Sequence, residues 1–257
     1  MLQDLHELSD IQRYPIGLKY PISDPLDLRG FRYGQAGNTQ IPDVGSHITL
    51  RQHVAWGVAP SGEVEDTPVG SYTVVVAVGA ADGAAHDGAI GLNELAGGYC
   101  RLIPNAANHV MHRMIKGNTA VVAPGGNMTI TLDRPTDFVL ELVSHAECMA
   151  NPYLLLWQGS YERQPVMGMP MVGATVNQFL WYQTWGPTWV APQGTVGVGN
   201  HNVQCVFRHD GTIQRHDPAE AAALYQQHAG FVMTIPSLDA ADPAAQAAPF
   251  IFLQITP

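Results

Sequence analysis

Charged residues, and lysine above all, are scarce in this sequence of 257 residues. Asp, Glu, Lys and Arg make up 13% of the chain, about half of the usual share, and Lys19 and Lys116 are the only lysines. Acidic residues outnumber basic ones by 22 to 12, so the net charge is −10. Because nucleic-acid affinity rests on Lys and Arg, this balance argues against a nucleic-acid partner. A surface so poor in charge also hints that partner subunits cover part of it.

Long hydrophobic runs and a disulfide framework are also missing. No stretch reaches about 18 uninterrupted apolar residues, so we expect no membrane span. The first residues, MLQDLHELSDIQRYPIG, are acidic where a signal peptide is basic, which predicts synthesis in a cytosol-like compartment. Cys100, Cys148 and Cys205 are an odd number without CxxC spacing. This pattern favours reduced, buried thiols over a disulfide framework.

Motifs for catalysis, metal binding and phosphate binding are absent as well. The 11 histidines match no HExxH or Cys/His zinc spacing, there is no GxSxG phrase, and the glycine pair in APGGN lacks a following Lys. Ser144 and His145 are neighbours in sequence, and neighbours on a strand face opposite sides. The triplet at 208–210 reads as a hairpin turn with Asp210-Gly211 at its corner. We therefore predict no catalytic residues, no metal ligands, no cofactor and no enzymatic activity.

The sequence does contain many short β-branched or alternating runs separated by Gly, Pro, Asn and Asp. They are HITLRQHVAWGV, SYTVVVAV, GGYCRLI, NMTITLD and FVLELV. In NMTITLD, the side chains of Met128, Ile130 and Leu132 point to one side, as a half-buried strand requires. Strand signals recur about every ten residues, which predicts an all-β fold with a β-sandwich or barrel body.

The two ends of the chain carry different signals. Residues 1–46 mix Pro, Gly and Asp with isolated aromatic residues and show no regular period, which predicts an extended N-terminal arm that becomes ordered on a partner. Residues 47–257 form the predicted β-rich body, with room for a boundary between two subdomains near 145–175. One short C-terminal helix is predicted, with Asp217 as its cap and Gly230 at its end.

Three of the five tryptophans stand in one short stretch, FLWYQTWGPTWV. Trp181, Trp185 and Trp189 are spaced by four, so they share one face of a strand as well as one face of a helix. Gly186-Pro187 decides against the helix and predicts two extended pieces joined by a bend. The rings can fill a core, contact another subunit or form a platform for glycans. Packing is favoured, because no cluster of Asp, Asn or Arg lies nearby.

Four phrases resemble a family of head proteins of tailed bacteriophages that are interpreted as capsid decoration, or cement, proteins. They are FRYGQAG (31–37), GGYCRLI (97–103), NPYLLL (151–156) and WYQTWGPTWVAPQGTVGVGN (181–200). In that family a phrase similar to FRYA-x-AG precedes a β-domain, and G-W-x-Q-T-W-G-P precedes a turn and a VGN-like strand. The order agrees here. Two departures are Trp189, where the family has Cys or a small residue after Gly-Pro, and the continuation of the chain from His201.

The resemblance implies a structural virion protein that decorates and stabilises the outer capsid shell by bridging subunits of the major capsid protein. It further implies a homotrimer on the capsid exterior, made in the host cytoplasm, without a nucleic-acid or membrane partner. The alternative is a carbohydrate-binding or host-attachment module displayed on the virion. On the arm, the candidates for capsid docking are Tyr14, Tyr20, Phe31, Arg32 and Tyr33. The candidates for a subunit contact or the core are Trp181, Trp185 and Trp189.

Overall fold

The structure is a computed structural model, and all regular structure in its described residues is β-strand, which confirms the predicted all-β class. It describes residues 2–22, 24–48, 52–55, 66–83, 85–104, 110–141, 144–159, 164–193, 196, 203–216, 226–234 and 249–257. The strands are β1 (Gly30–Gln35), β2 (Ser46–His47), β3 (Gln52–Ala55), β4 (Thr73–Val78), β5 (Tyr99–Ile103), β6 (Met111–Asn118), β7 (Gly126–Leu132), β8 (His145–Met149), β9 (Val166–Pro170), β10 (Phe179–Trp189), β11 (Gln204–Phe207), β12 (Ile213–Arg215), β13 (His228–Thr234) and β14 (Phe250–Gln254). Within these ranges we find no helix with the length and apolarity to cross a membrane.

The chain forms two compact units, each built around one curled sheet. The first unit contains Met1–Thr49 and Pro152–Pro257, and the second contains Leu50–Asn151. Residues of the predicted arm, 1–46, therefore belong to the first unit together with the C-terminal part of the chain. The division after Asn151 falls within the range 145–175 in which a boundary is predicted.

The sheet of the first unit is antiparallel, with the order β12-β11-β13-β14-β10-β9-β2, and β1 also pairs with β10. β10 is the longest strand and, besides β9, pairs with two strands in succession: with β1 from Phe179 to Trp185 and with β14 from Trp185 to Trp189. Gly186 stands at this change, with a φ of 88°. A Cβ atom there would lie 2.5 Å from the Leu28 carbonyl oxygen, so only glycine lets β10 continue. The two predicted extended pieces thus meet at Gly186, but as parts of one continuous strand rather than as two strands.

The sheet of the second unit has the order β3-β8-β5-β6-β7-β4, and its curl brings β3 close to β4. Met128, Ile130 and Leu132 of β7 are no more than 2% exposed, which confirms the predicted inner face of this strand. Of the strand predicted at 138–143, residues 142 and 143 lie outside the described part of the chain, and residues 138–141 form no regular strand. Within residues 138–141, Leu140 forms a single bridge with Thr67, and its neighbour Val139 is exposed.

The predicted C-terminal end of the helix, at Gly230, is wrong. Residues 217–225 lie outside the described part of the chain, but β13 begins at His228, so Gly230 lies in a strand. Gly230 pairs with Leu253 of β14 and has a φ of 145°. A Cβ atom there would lie 1.9 Å from the Phe252 carbonyl oxygen. This glycine therefore allows two strands to approach closely, whereas the sequence pattern predicts that it ends a helix.

We expect Gly230→Ala to lower the free energy of unfolding of the first unit by about 2–4 kcal/mol, because the new methyl group clashes with β14 at a φ that alanine rarely adopts. Gly173→Ala is the matched control, since its nearest atom, the Gln40 carbonyl oxygen, would lie 3.4 Å away. Chemical denaturation of both variants measures the difference. Equal midpoints for the two would show that β13 and β14 are not held this closely.

Candidate functional site

Trp185 and Trp189 lie on one face of β10, but Trp181 lies on the other, because the strand has a bulge between its pairings with Tyr33 and Gly30. The predicted shared face of the three tryptophans is therefore wrong, and their exposure rises along the strand. Trp181 is completely buried, Trp185 is half-buried, and Trp189 is 50% exposed. Their Cα partners differ accordingly: Tyr33 of β1 stands opposite Trp181, whereas Phe250 of β14 stands opposite Trp189. Trp181 is thus a core residue on one face of β10, and Trp185 and Trp189 are the candidates for contact on the other face.

The side of β10 that carries Trp181 is covered by the N-terminal segment of the same unit. The Trp181 ring lies 4.9 Å from the ring of Tyr20, 5.0 Å from that of Tyr33 and 5.7 Å from that of Tyr14, measured between centroids. Trp181 Nε1 also donates a hydrogen bond to the Gln3 carbonyl oxygen at 3.2 Å. Apolar packing and a satisfied indole N–H together make Trp181 a core residue.

The five candidates for capsid docking are placed in the same region by the structure. Phe31 and Tyr33 of β1 are 1% and 0% exposed, and burial raises the pKa of the Tyr33 hydroxyl. Tyr14 and Tyr20 are half-buried against the same cluster. Arg32, between the two buried aromatic residues, points to the opposite side and donates to the carbonyl oxygens of Gly17 and Pro257. The four aromatic rings are therefore occupied in the core of their own unit.

The face of β10 that carries Trp185 and Trp189 continues onto β14 and β13. We call this surface the aromatic face and define it by Trp185, Trp189, Phe231, Phe250 and Phe252. The Trp185 and Phe252 rings meet edge to face at 5.6 Å, and Phe231 stacks on Phe252 at 5.4 Å with an interplanar angle of 3°. Trp189 and Phe250 meet at 5.0 Å. Phe231 is 39% exposed, so rings from three strands form one apolar surface that solvent reaches.

The alternation of side chains along β14 places Phe250 and Phe252 on this surface. In FIFLQ, Ile251 and Leu253 are completely buried in the core of the sheet, so Phe250 and Phe252 must point to its other side. Sequence reasoning missed these two residues and Phe231. The available signal is that FIFLQ is apolar at both alternating sets of positions, whereas a strand with one solvated face is expected to alternate with polar residues.

No Asp, Glu, Lys or Arg occurs in β10, β13 or β14. Beside the face, Trp185 also lines a cleft of about 530 Å³, together with Tyr20, Leu28 and the charged side chains of Lys19, Asp27 and Arg29. Arg29 Nη2 lies 2.9 Å from Asp27 Oδ2, and this hydrogen bond holds the pKa of the Asp27 carboxyl below its usual value. Charge is thus confined to the border of the aromatic face.

Three buried polar side chains of the first unit, Gln40, Ser46 and Tyr182, form hydrogen bonds with one another. Gln40 Oε1 accepts hydrogen bonds from the hydroxyls of Ser46, at 2.7 Å, and Tyr182, at 3.1 Å, while its amide donates to the Leu156 carbonyl oxygen. This arrangement ties β2 and β10 to the chain around residue 156, which is a structural role. Among the residues that the structure describes, no three His, Cys, Asp or Glu side chains are grouped as metal ligands would be.

Comparison of the chain with models of protein families, with curated proteins and with solved structures gives no match. The aromatic face is therefore interpreted from its own geometry.

Proposed function

We propose that this chain is a structural protein of a tailed-bacteriophage virion that decorates the outer capsid shell and stabilises it by bridging major capsid protein subunits. In this proposal the aromatic face is the surface that meets a neighbouring protein of the shell. The chain acts by binding, without catalysis, and assembles as a homotrimer on the capsid exterior after synthesis in the host cytoplasm.

The observation that carries the proposal is a continuous surface of five aromatic rings on adjacent strands, of which Trp189 and Phe231 are exposed and the other three are half-buried. Trp and Phe are enriched in the cores of protein interfaces, where truncation of a single ring often costs more than 1 kcal/mol. A partner that covers β10, β13 and β14 would desolvate no charged side chain on these strands, so the large penalty for burying unpaired charge does not arise. Aromatic burial without that penalty is what a stable structural contact requires.

The phrases that resemble the decoration family support the proposal in a second way. FRYGQAG contains most of β1, and WYQTWGP lies in β10, and these strands pair with Tyr33 opposite Trp181. The third phrase, NPYLLL, joins them because the Leu156 N–H donates to the Gln35 carbonyl oxygen at 2.8 Å. Three phrases that are far apart in sequence thus form one continuous piece of the first unit, as expected if they were retained for a common fold.

The stabilising mechanism in this proposal is physical. A shell under outward pressure from packaged DNA separates first at the boundaries between its subunits. Each decoration subunit that buries apolar area across a boundary adds roughly 25 cal/mol per Å², before the entropic cost of association is subtracted. A trimer adds this contribution at several boundaries at once, so modest individual contacts sum to a large effect.

A carbohydrate-binding or host-attachment module is the second candidate, and the outward ring of Trp189 favours it. Half of this side chain is exposed, and an exposed indole can stack on the apolar face of a sugar ring. The same aromatic face would then serve as a platform for glycans on the surface of the host.

The proposal is tested by the double variant Trp189→Ser/Phe231→Ser in a sedimentation assay with shells assembled from the major capsid protein of the same particle. We expect the variant to bind about 100-fold more weakly, because two interface rings are lost at about 1.4 kcal/mol or more each. The matched control is Ile11→Ser/Val176→Ser, which removes apolar side chains that are 71% and 55% exposed elsewhere in the same unit. The control should bind within about threefold of the wild type.

Shell binding that is equal for the wild type and the aromatic-face variant would refute this use of the face. If the variant instead loses binding to immobilised host-surface glycans, the second candidate function replaces the first. Light scattering of the free proteins adds a separate readout. A fall in mass in the variant alone would make the aromatic face a contact within the homotrimer rather than with the shell.

A further inference from the structure

Two of the three cysteines lie directly opposite each other in the second unit, although 47 positions separate them in sequence. Cys100 of β5 and Cys148 of β8 are Cα partners in the antiparallel ladder. Their side chains are 2% and 1% exposed, so both thiols point to the inner side of the sheet. The third, Cys205, lies on β11 in the other unit. A close thiol pair thus exists that sequence spacing does not reveal.

The hydrogen-bond pattern fixes the type of this cross-strand pair. The Ile115 N–H donates to the Gly98 carbonyl oxygen at 2.9 Å, so the carbonyl group of Gly98 points toward β6. Backbone groups of residues two apart on a strand point to the same neighbour, so those of Cys100 also point toward β6 and away from Cys148. Cys100 and Cys148 therefore form a non-hydrogen-bonded pair. The Cα atoms of such pairs are about 4.5 Å apart, at the short end of the range of roughly 4.4–6.8 Å that a disulfide spans.

We propose that Cys100 and Cys148 are a modification site at which a small-molecule disulfide, such as oxidised glutathione, produces a cross-strand disulfide bond. The thiolate of one cysteine attacks a sulfur of the oxidant and releases one glutathione thiol. The thiolate of the other then attacks the protein sulfur of the mixed disulfide and releases the second. Two protein thiols are oxidised, one glutathione disulfide is reduced, and the two thiol protons end on the two glutathione molecules.

Burial sets the rate of this reaction. Desolvation raises the pKa of the Cys100 thiol to about 12 and that of Cys148 higher still, so few thiolates form at neutral pH. β5 and β8 are both interior strands of their sheet, so the oxidant needs a local opening of the second unit. The pair stays reduced in a reducing cytosol and closes slowly after the chain enters oxidising surroundings. The resulting bond links β5 to β8 and stabilises the second unit by constraining its unfolded state.

The test uses the full-length chain, reduced and then incubated with oxidised glutathione at pH 8, both in buffer and in urea below the unfolding midpoint. Free thiols are alkylated, and peptides are mapped by mass spectrometry without reduction. We expect one intramolecular disulfide joining the peptides of Cys100 and Cys148, with Cys205 alkylated. The thermal midpoint of the second unit should rise by about 5–10 °C on oxidation.

Cys205→Ser is the matched control and should leave the disulfide unchanged, whereas Cys100→Ser and Cys148→Ser should each abolish it. The wild-type peptide map decides the question even if a serine variant fails to fold. Three alkylated cysteines after excess oxidant in both conditions would overturn the proposal. So would pairing of Cys100 or Cys148 only with glutathione, with Cys205 or with a second chain.

Discussion

Trp181→Ala is expected to lower the free energy of unfolding of the first unit by about 3–5 kcal/mol. The indole is completely buried and contacts the rings of Tyr14, Tyr20 and Tyr33. Its removal leaves a cavity that aromatic neighbours fill poorly, and the Gln3 carbonyl oxygen loses its donor. Since small domains are stable by only about 5–15 kcal/mol, this loss is a large part of the total.

Trp189→Ala is the matched control, because it removes the same type of side chain from the exposed end of the same strand. We expect a cost of about 1 kcal/mol or less, since half of the Trp189 surface is already in water. Urea denaturation followed by near-ultraviolet circular dichroism measures both variants. Equal costs would contradict the gradient of burial along β10, and a larger cost for Trp189 would make its contact with Phe250 part of the core.

The class of fold could be predicted from local patterns, because alternation of side chains determines which residues of a strand are buried. Met128, Ile130 and Leu132 show this, as does the hairpin at Asp210-Gly211, where the Arg208 N–H donates to the Thr212 carbonyl oxygen at 2.8 Å. Gly230 shows the limit of local patterns. A glycine after a run of helix-forming residues resembles a helix end, and only the pairing of β13 with β14 reveals that strand contact requires it.

Only part of the candidate site could be predicted from the sequence. The spacing of Trp181, Trp185 and Trp189 indicated one shared strand face, which is wrong because the bulge before Trp185 puts Trp181 on the opposite side. The different burial of the rings depends on what covers each of them. Residues far away in sequence decide this: the N-terminal segment covers Trp181, whereas β14 lies beside Trp189 and leaves its ring exposed. That Cys100 and Cys148 stand opposite each other likewise depends on the register of β5 and β8, which cannot be deduced from composition or sequence spacing.

Deletion of residues 2–22 is expected to unfold the first unit and make the chain insoluble. The segment supplies Leu5, Tyr14, Ile16, Tyr20 and Ile22 to the cluster around Trp181. At about 1–2 kcal/mol for each partly buried side chain, their loss removes roughly 5–10 kcal/mol, which is comparable to the whole stability of a domain. The soluble fraction after expression and the thermal unfolding of any soluble protein measure the effect.

A docking arm makes the opposite prediction for the same deletion, namely a folded, soluble chain that no longer binds shells. The hydrogen bonds favour our expectation, because Ser9 and Phe179 exchange a pair of backbone bonds at 3.1 and 2.8 Å, as adjacent strands do. Refolding the truncated chain with a synthetic peptide of residues 2–22 separates the two cases. Recovery of the native circular dichroism spectrum on addition of the peptide is expected if the segment completes the core. A native spectrum without the peptide, combined with loss of shell binding, would restore the docking role to Tyr14 and Tyr20.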